Sequence, residues 1–245
     1  MLNAERQVDV TTNNLANVNT AGFKKDLLAA MAAPNIATVR EPFYPLIPAD
    51  RNRGFIPIGV QSTGVMAAEV WTDFESGPLV QTGRTLDIAI VDDGFFTVQD
   101  AAGNTYYTRN GSFTVGVDGN LVTQEGLTVL GDGGAISIGN AGRIDISRSG
   151  AVIADGEILD SLRIAHFTDP HSLRKVGHTL FTGPNPDGIG TANVESGAIE
   201  QSNASVIESM VKLIEGHRMY EADSRVLQTL DATLDRAAND LGSLR

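Results

Sequence analysis

The sequence contains no cysteine, which removes disulfides, thiolate metal ligands and cysteine nucleophiles together. That absence suits the cytoplasm, and equally a protein that travels unfolded and assembles outside the cell without mispairing thiols. Aromatic residues make up only 6% of the chain, a thin supply for a core. Cations are scarce as well. Eighteen Lys and Arg face 30 Asp and Glu, and the net charge of −12 repels any polyphosphate, so nucleic acid is not an expected partner. No apolar run approaches the ~20 residues of a membrane-spanning helix, and the opening MLNAERQVDV lacks the apolar centre of a secretory signal. What is present is globular: 245 residues, 42% hydrophobic and 20% charged, with 26 glycines that imply many turns.

The two ends carry helical patterns. Met1, Ala4, Val8, Leu15 and Val18 recur at threes, fours and one gap of seven that Thr11 divides, a heptad stripe. The amide-rich run from Asn13 to Thr20 and then Ala21-Gly22-Phe23 place the helix stop between Asn17 and Gly22, since Asn and Gly tolerate a left-handed backbone. From Ser205 the chain has no proline and only Gly216 before Gly242, which reads as one helix about 50 Å long. Val206, Met210 and Leu213 begin an apolar stripe that a polar middle interrupts and Leu227, Leu230, Leu234, Ala237 and Leu241 resume. Glu208 with Lys212 and Glu221 with Arg225 support the helix at four-residue spacing. So long and narrow a seam needs partners, first the helix at the other terminus and then copies of both.

Between the helices the pattern changes. Residues 34–65 hold five prolines and three glycines and read as an extended linker. From about Val65 to Phe181 short β-rich pieces alternate with Asp93-Gly94, Gly103-Asn104, Asn110-Gly111, Asp118-Gly119 and Gly150, the chemistry of tight hairpin turns. The spacing predicts an antiparallel, all-β middle domain whose core takes Trp71, Phe74, Phe95, Phe96, Tyr106, Tyr107 and Phe113. The fold class is therefore α+β, an all-β antiparallel central domain flanked by amino- and carboxy-terminal α-helices that pair into a coiled-coil-like axial core. The expected division is 1–33 for the first helix and its turn, 34–65 for the linker, 66–195 for the β domain and 196–245 for the second helix.

Catalytic chemistry finds little support. The four histidines form no close ligand pair, Gly131-Asp132-Gly133-Gly134 lacks the helix and Lys of a phosphate cradle, and no G-x-S-x-G elbow occurs. Asp92-Asp93-Gly94 and Asp118-Gly119-Asn120 read as turns rather than calcium loops. A glycan hydrolase would have to draw its acid and base from Asp73, Glu75, Asp87, Asp92 and Asp93, where no preferred pair stands out.

Three ordered stretches resemble the flagellar basal-body rod and hook family of axial proteins: NNLANVNTAGFKKD over residues 13–26; SGPLVQTGRTLDIAIVDDGFF with YTRNGSF and DGNLVTQEG, from about Gly77 to Gly126; and ESGAIEQSNASVIESMVKLIEGHRMYEADSRVLQTLDATL over 195–234. Modest length and VLGDGGAI, residues 129–136, look most like a proximal-rod member, with the distal rod next. The family pattern has a further helical turn before the position of Met1, so the first helix here is either short or truncated. The resemblance implies that both terminal helices form the inner layer of a tubular assembly with the β domain outside. It implies a subunit of the periplasmic rod that transmits torque, with no reaction and no cofactor. Its partners would be other rod proteins, copies of itself and the flagellar type III export apparatus, through which it would pass without a cleaved signal. Spacing and resemblance together assign the assembly seam to Leu15, Val18, Val206, Met210, Leu213, Leu227, Leu230 and Leu234, with Asn13, Asn14, Asn17 and Asn19 making polar contacts near the helix end.

Overall fold

A computed structural model describes residues 2–32, 65–139, 141–190 and 193–242. The chain forms two compact units. One comprises residues 11–27 and 72–214, the other residues 1–10, 28–71 and 215–245. The linker expected over 34–65 lies outside the described residues, save Val65, which opens a strand.

Residues 72–204 hold the β body, and its paired strands run antiparallel. Its main sheet runs in the order Arg174–Val176, Leu180–Thr182, Thr105–Thr108, Phe95–Gln99, Thr128–Gly131, Leu121–Thr123, Phe113–Val115. Ile164–His166 pairs with Phe95–Gln99 and with Gly188–Gly190. A three-stranded sheet joins Ile144–Ile146, Ala151–Ala154 and Glu157–Ser161. Two ribbons complete the body, Val194–Ser196 on Ile88–Ile90 and Ala198–Glu200 on Leu79–Gln81.

Period-two alternation explains how few aromatics suffice. Phe96 and Val98 point into a cluster with Ile88, Phe113, Leu121, Val129, Ile136 and Ile164, while Phe95 turns to a second cluster with Tyr107, Leu173 and Phe181. Phe74 stands edge-on to Phe95 at 5.7 Å, and Phe96 to Phe113 at 5.1 Å, so the rings pack in their favoured geometry. Trp71 departs from the expectation. It belongs to the strand Val65–Thr72, which pairs with Asp26–Ala32 outside the β body, and is 41% exposed.

The hairpin chemistry holds at Gly103, Gly119 and Gly150, each at positive φ between paired strands. Gly94 also has positive φ, but the strands on either side of it, Ile88–Ile90 and Phe95–Gln99, pair elsewhere, so it makes a connection and not a hairpin. Gly111 is different. It has no positive φ, and a Cβ there would overlap the Ile88 carbonyl oxygen, so close backbone approach is what excludes a side chain. Gly131-Asp132-Gly133-Gly134 is a hairpin turn, with Gly134 opposite Gly131.

Two helices flank these strands. Helix α1 spans Leu2–Ala16 and α2 spans Val206–Gly242, 37 residues. Ser205 starts α2 by accepting the Glu208 amide on Oγ at 3.4 Å, and Lys212 pairs with Glu208 at 2.6 Å. Residues 196–205, grouped with this helix in the sequence reading, carry the strand Ala198–Glu200 and a short connection. In the second unit α1 and α2 meet at Gly216, where a Cβ would come within 2.9 Å of Val8 Cγ2. No helix among the described residues is long and apolar enough to cross a membrane.

Candidate assembly site

Both helices are rooted in the unit that holds the β body, and their root is polar. The amides that end α1 act through their side chains and not through left-handed backbone: among the described residues the one non-glycine at positive φ is Asp155. Asn17 Nδ2 donates to the Asn13 carbonyl at 2.9 Å and caps the helix. Asn14 clamps the chain after the turn, donating to the Asp26 carbonyl at 2.7 Å and accepting the Asp26 amide at 2.8 Å. The left-handed residue is Gly22. A Cβ there would also overlap the Asn110 backbone nitrogen, and its N–H donates to the Glu200 carbonyl at 2.8 Å.

That turn delivers Lys24 into a buried ionic junction. Lys24, Arg109 and Glu200 are at most 3% exposed. Lys24 Nζ donates to Glu200 Oε1 at 2.6 Å and to the Glu75 carbonyl at 2.8 Å. Gly77 N–H donates to the same Oε1 at 2.8 Å, and Arg109 reaches Oε2 at 3.4 Å while lying over the Phe95 ring. Two cations thus share one carboxylate. Burial pulls the Lys24 ammonium below its ordinary value despite Glu200, and the Arg109 charge adds to the fall. Burial lowers Arg109 too, against Glu200 and Asp93, and its Nε has no hydrogen-bond partner.

Neighbouring groups extend the junction. Asn203 accepts the Lys25 amide at 2.7 Å and donates to the Asp73 and Glu75 carbonyls, both at 3.0 Å, so one side chain laces the segment after α1 to the segment before α2. Lys175 stands 3.9 Å from the centre of the buried Phe23 ring and donates to Asp26 and to the Lys24 carbonyl. Burial opposes the charge of Asp73, but the Glu75 amide and Lys25 outweigh it and hold its carboxyl below the ordinary value.

Three of the five carboxylates weighed for hydrolysis are engaged in structure: Asp73 as above, Asp87 buried against Ser112 and Arg84, and Asp92 on Asn193. A cleft of about 140 Å³ beside Thr97, Tyr107, Leu130 and Arg163 is below the roughly 300–1,000 Å³ of small-molecule pockets.

The residues assigned to the seam fall into two groups. Asn14 and Asn17 are buried and use their amides inside the chain; Leu15, Val18 and Leu213 are half-buried; Asn13 and Asn19 are exposed. Val206, Met210, Leu227, Leu230 and Leu234 stand in solvent, Leu234 to 67%. The sequence reading missed Lys24, Arg109, Glu200 and Asn203. Their signal was present, each lying inside one of the three quoted stretches.

A β body with a buried core of its own, a buried ionic junction between the segments that follow α1 and precede α2, and a long helix left largely unburied are the features of a structural protein. Residues 1–24 match the family described as "Flagella basal body rod protein", residues 89–154 the "Flagellar hook protein FlgE/F/G D1 domain" and residues 195–241 the "Flagellar basal body rod FlgEFG protein C-terminal". A flagellar basal-body rod protein FlgG of Agrobacterium fabrum is 32% identical over 244 residues, covering 93% of this chain and 90% of that protein. A rod protein FlgF of Caulobacter vibrioides is 33% identical, covering 95% and 90%, and a FlgG of Bacillus subtilis 30%, covering 98% and 95%. The chain belongs to the flagellar basal-body rod and hook protein family. Members named FlgG and FlgF stand at nearly the same identity.

Proposed function

We propose that this chain is a structural subunit of the bacterial flagellar basal-body rod, assembling with other rod proteins and copies of itself into the helical shaft that carries torque from motor to hook. The observation that carries this reading is the exposed apolar surface of α2: Met210, Leu227, Leu230 and Leu234 are about half exposed or more. In the assembly α1 and α2 pair in the manner of a coiled coil and their outer seam, Leu15, Val18, Val206, Met210, Leu213, Leu227, Leu230 and Leu234, becomes dry against neighbours. Asn13 and Asn19 make polar contacts there, while Asn14 and Asn17 act from within by fixing the root. Modest length and the Val129–Ile136 hairpin favour the proximal rod. The subunit reaches the periplasmic rod through the flagellar type III apparatus, and its work needs no cofactor and no reaction.

The test is Leu227→Asp and Leu230→Asp in cells. Each places a carboxylate on the seam, and loss of rod assembly and swimming is the expected result. Motile cells with normal basal bodies would refute the seam.

A further inference from the structure

The main sheet changes partner at Thr97. Along one edge the strand Phe95–Gln99 stays with Thr105–Thr108, and Thr97 lies opposite Tyr107. Along the other edge Phe95 and Phe96 face Ala165 and Ile164, whereas Val98 and Gln99 face Val129 and Thr128. Arg163 bridges the change: its carbonyl accepts the Thr97 amide at 3.2 Å, and its own amide donates to the Leu130 carbonyl at 3.1 Å. The cleft of about 140 Å³ lies at this split, lined by Thr105, Asn185 and Pro186 besides the four residues already placed there. All of it belongs to the unit that holds the β body.

The polar lining of the cleft is left unused. Thr97 is 2% exposed and its hydroxyl oxygen is buried without a hydrogen bond, an exception in folded proteins. Among the described residues no hydrogen bond or ion pair engages the Arg163 guanidinium, the Tyr107 hydroxyl or the Asn185 side-chain amide. Arg163 stands apart in this. Each other buried or half-buried Lys or Arg of the unit, namely Lys24, Lys25, Arg109, Lys175 and Lys212, holds a carboxylate. Tyr107 is fixed edge-on to Phe167 at 4.9 Å. Burial pushes its hydroxyl up against the pull of Arg163, which keeps it a proton donor at neutral pH.

We propose that this cleft, independently of rod assembly, binds a single carboxylate on a short stem. The guanidinium and the phenol supply the donors that a carboxylate takes, and Arg163 is free to meet both of its oxygens. Leu130 and Pro186 give the stem an apolar wall. A phosphate dianion fits the charge poorly, since it would face one cation in a chain of net charge −12. The volume is too small for a whole metabolite and suits the end of an acidic side chain or a small free acid, two sources of one chemistry.

Isotope-labelled full-length chain is titrated at constant ionic strength with sodium acetate, with the tripeptide acetyl-Ala-Glu-Ala-amide, with its Gln counterpart and with inorganic phosphate. NMR follows the amides of Thr97, Tyr107 and Leu130 and the Arg163 Nε–H. Saturable shifts at these groups are expected with acetate and the Glu peptide, and none with the Gln peptide. Arg163→Gln should weaken both ligands by about tenfold or more. Tyr107→Phe keeps the ring and should weaken them by a smaller factor. Tighter binding of the Glu peptide assigns the cleft to the acidic side chain of a docked polypeptide, and equal or tighter binding of acetate to a free acid. No saturable shift, an equal response to the Gln peptide, unaltered affinity in either variant, or phosphate binding more tightly than acetate would overturn the carboxylate site.

Discussion

Replacing Glu200 by Gln keeps its shape and removes its charge. In the native junction one carboxylate faces two cations, all at most 3% exposed. The amide leaves Lys24 and Arg109 buried without their hydrogen-bonded counter-charge, with only the weaker attractions of Asp73 and Asp93 remaining, and breaking a buried pair in this way costs about 3–5 kcal/mol. Lys24→Met leaves the opposite balance, one cation and one carboxylate. The loss is then chiefly the donor to Glu200 Oε1 and the Glu75 carbonyl, about 1–3 kcal/mol. Charge count thus predicts an order, Glu200→Gln worse than Lys24→Met, that a simple loss of hydrogen bonds does not. For a domain of this size each kcal/mol moves the melting midpoint roughly 2–4 °C, so Glu200→Gln should lower it by roughly 6–20 °C and Lys24→Met by clearly less. Thermal and urea unfolding followed by circular dichroism measure both. Equal losses, or a larger loss for Lys24→Met, would refute the two-cation account.

Asp73 is held below its ordinary value, so its contribution is present above the unfolded value of 3.8 and is lost as pH falls through the lowered folded value. The stability gap between wild type and Asp73→Asn should therefore close on acidification below about pH 4 in urea titrations, and a gap constant from pH 7 to pH 2 would contradict the assignment. Asn203→Ala orphans the Lys25 amide and unlaces two carbonyls, with an expected loss of about 1–3 kcal/mol in urea unfolding. Gly216→Leu drives a side chain into Val8 and should cost about 1–3 kcal/mol in the helix pair, seen as faster amide exchange across Leu2–Ala16 with the β body unchanged.

Much of the fold is legible in the sequence because it is written locally. Ser205 and the proline-free run after it give the start of α2, and Gly103-Asn104 and Asp118-Gly119 give the hairpins at Gly103 and Gly119, since capping and positive φ are properties of neighbouring residues. Asn110-Gly111 looks the same in sequence but marks a close backbone approach, a property of Ile88 more than twenty residues away. Trp71 shows the same limit. Its strand alternates like those of the β body, yet pairs elsewhere. The ionic junction was the least legible part of the site. Lys24 and Glu200 are 176 residues apart, and in a chain with 30 acidic side chains a lone glutamate reads as surface. Only the fold removes its water. The seam lies between these cases: periodicity finds Leu227, Leu230 and Leu234, while their exposure within the chain emerges only from the structure.

The most direct test of rod membership is to isolate basal bodies from cells whose sole copy of the chain is tagged and count the chain in them, native against Leu227→Asp with Leu230→Asp. The native chain should copurify with the rod and the double variant should be missing from it. A native chain absent from basal bodies, or a double variant incorporated at the native level, would contradict the account.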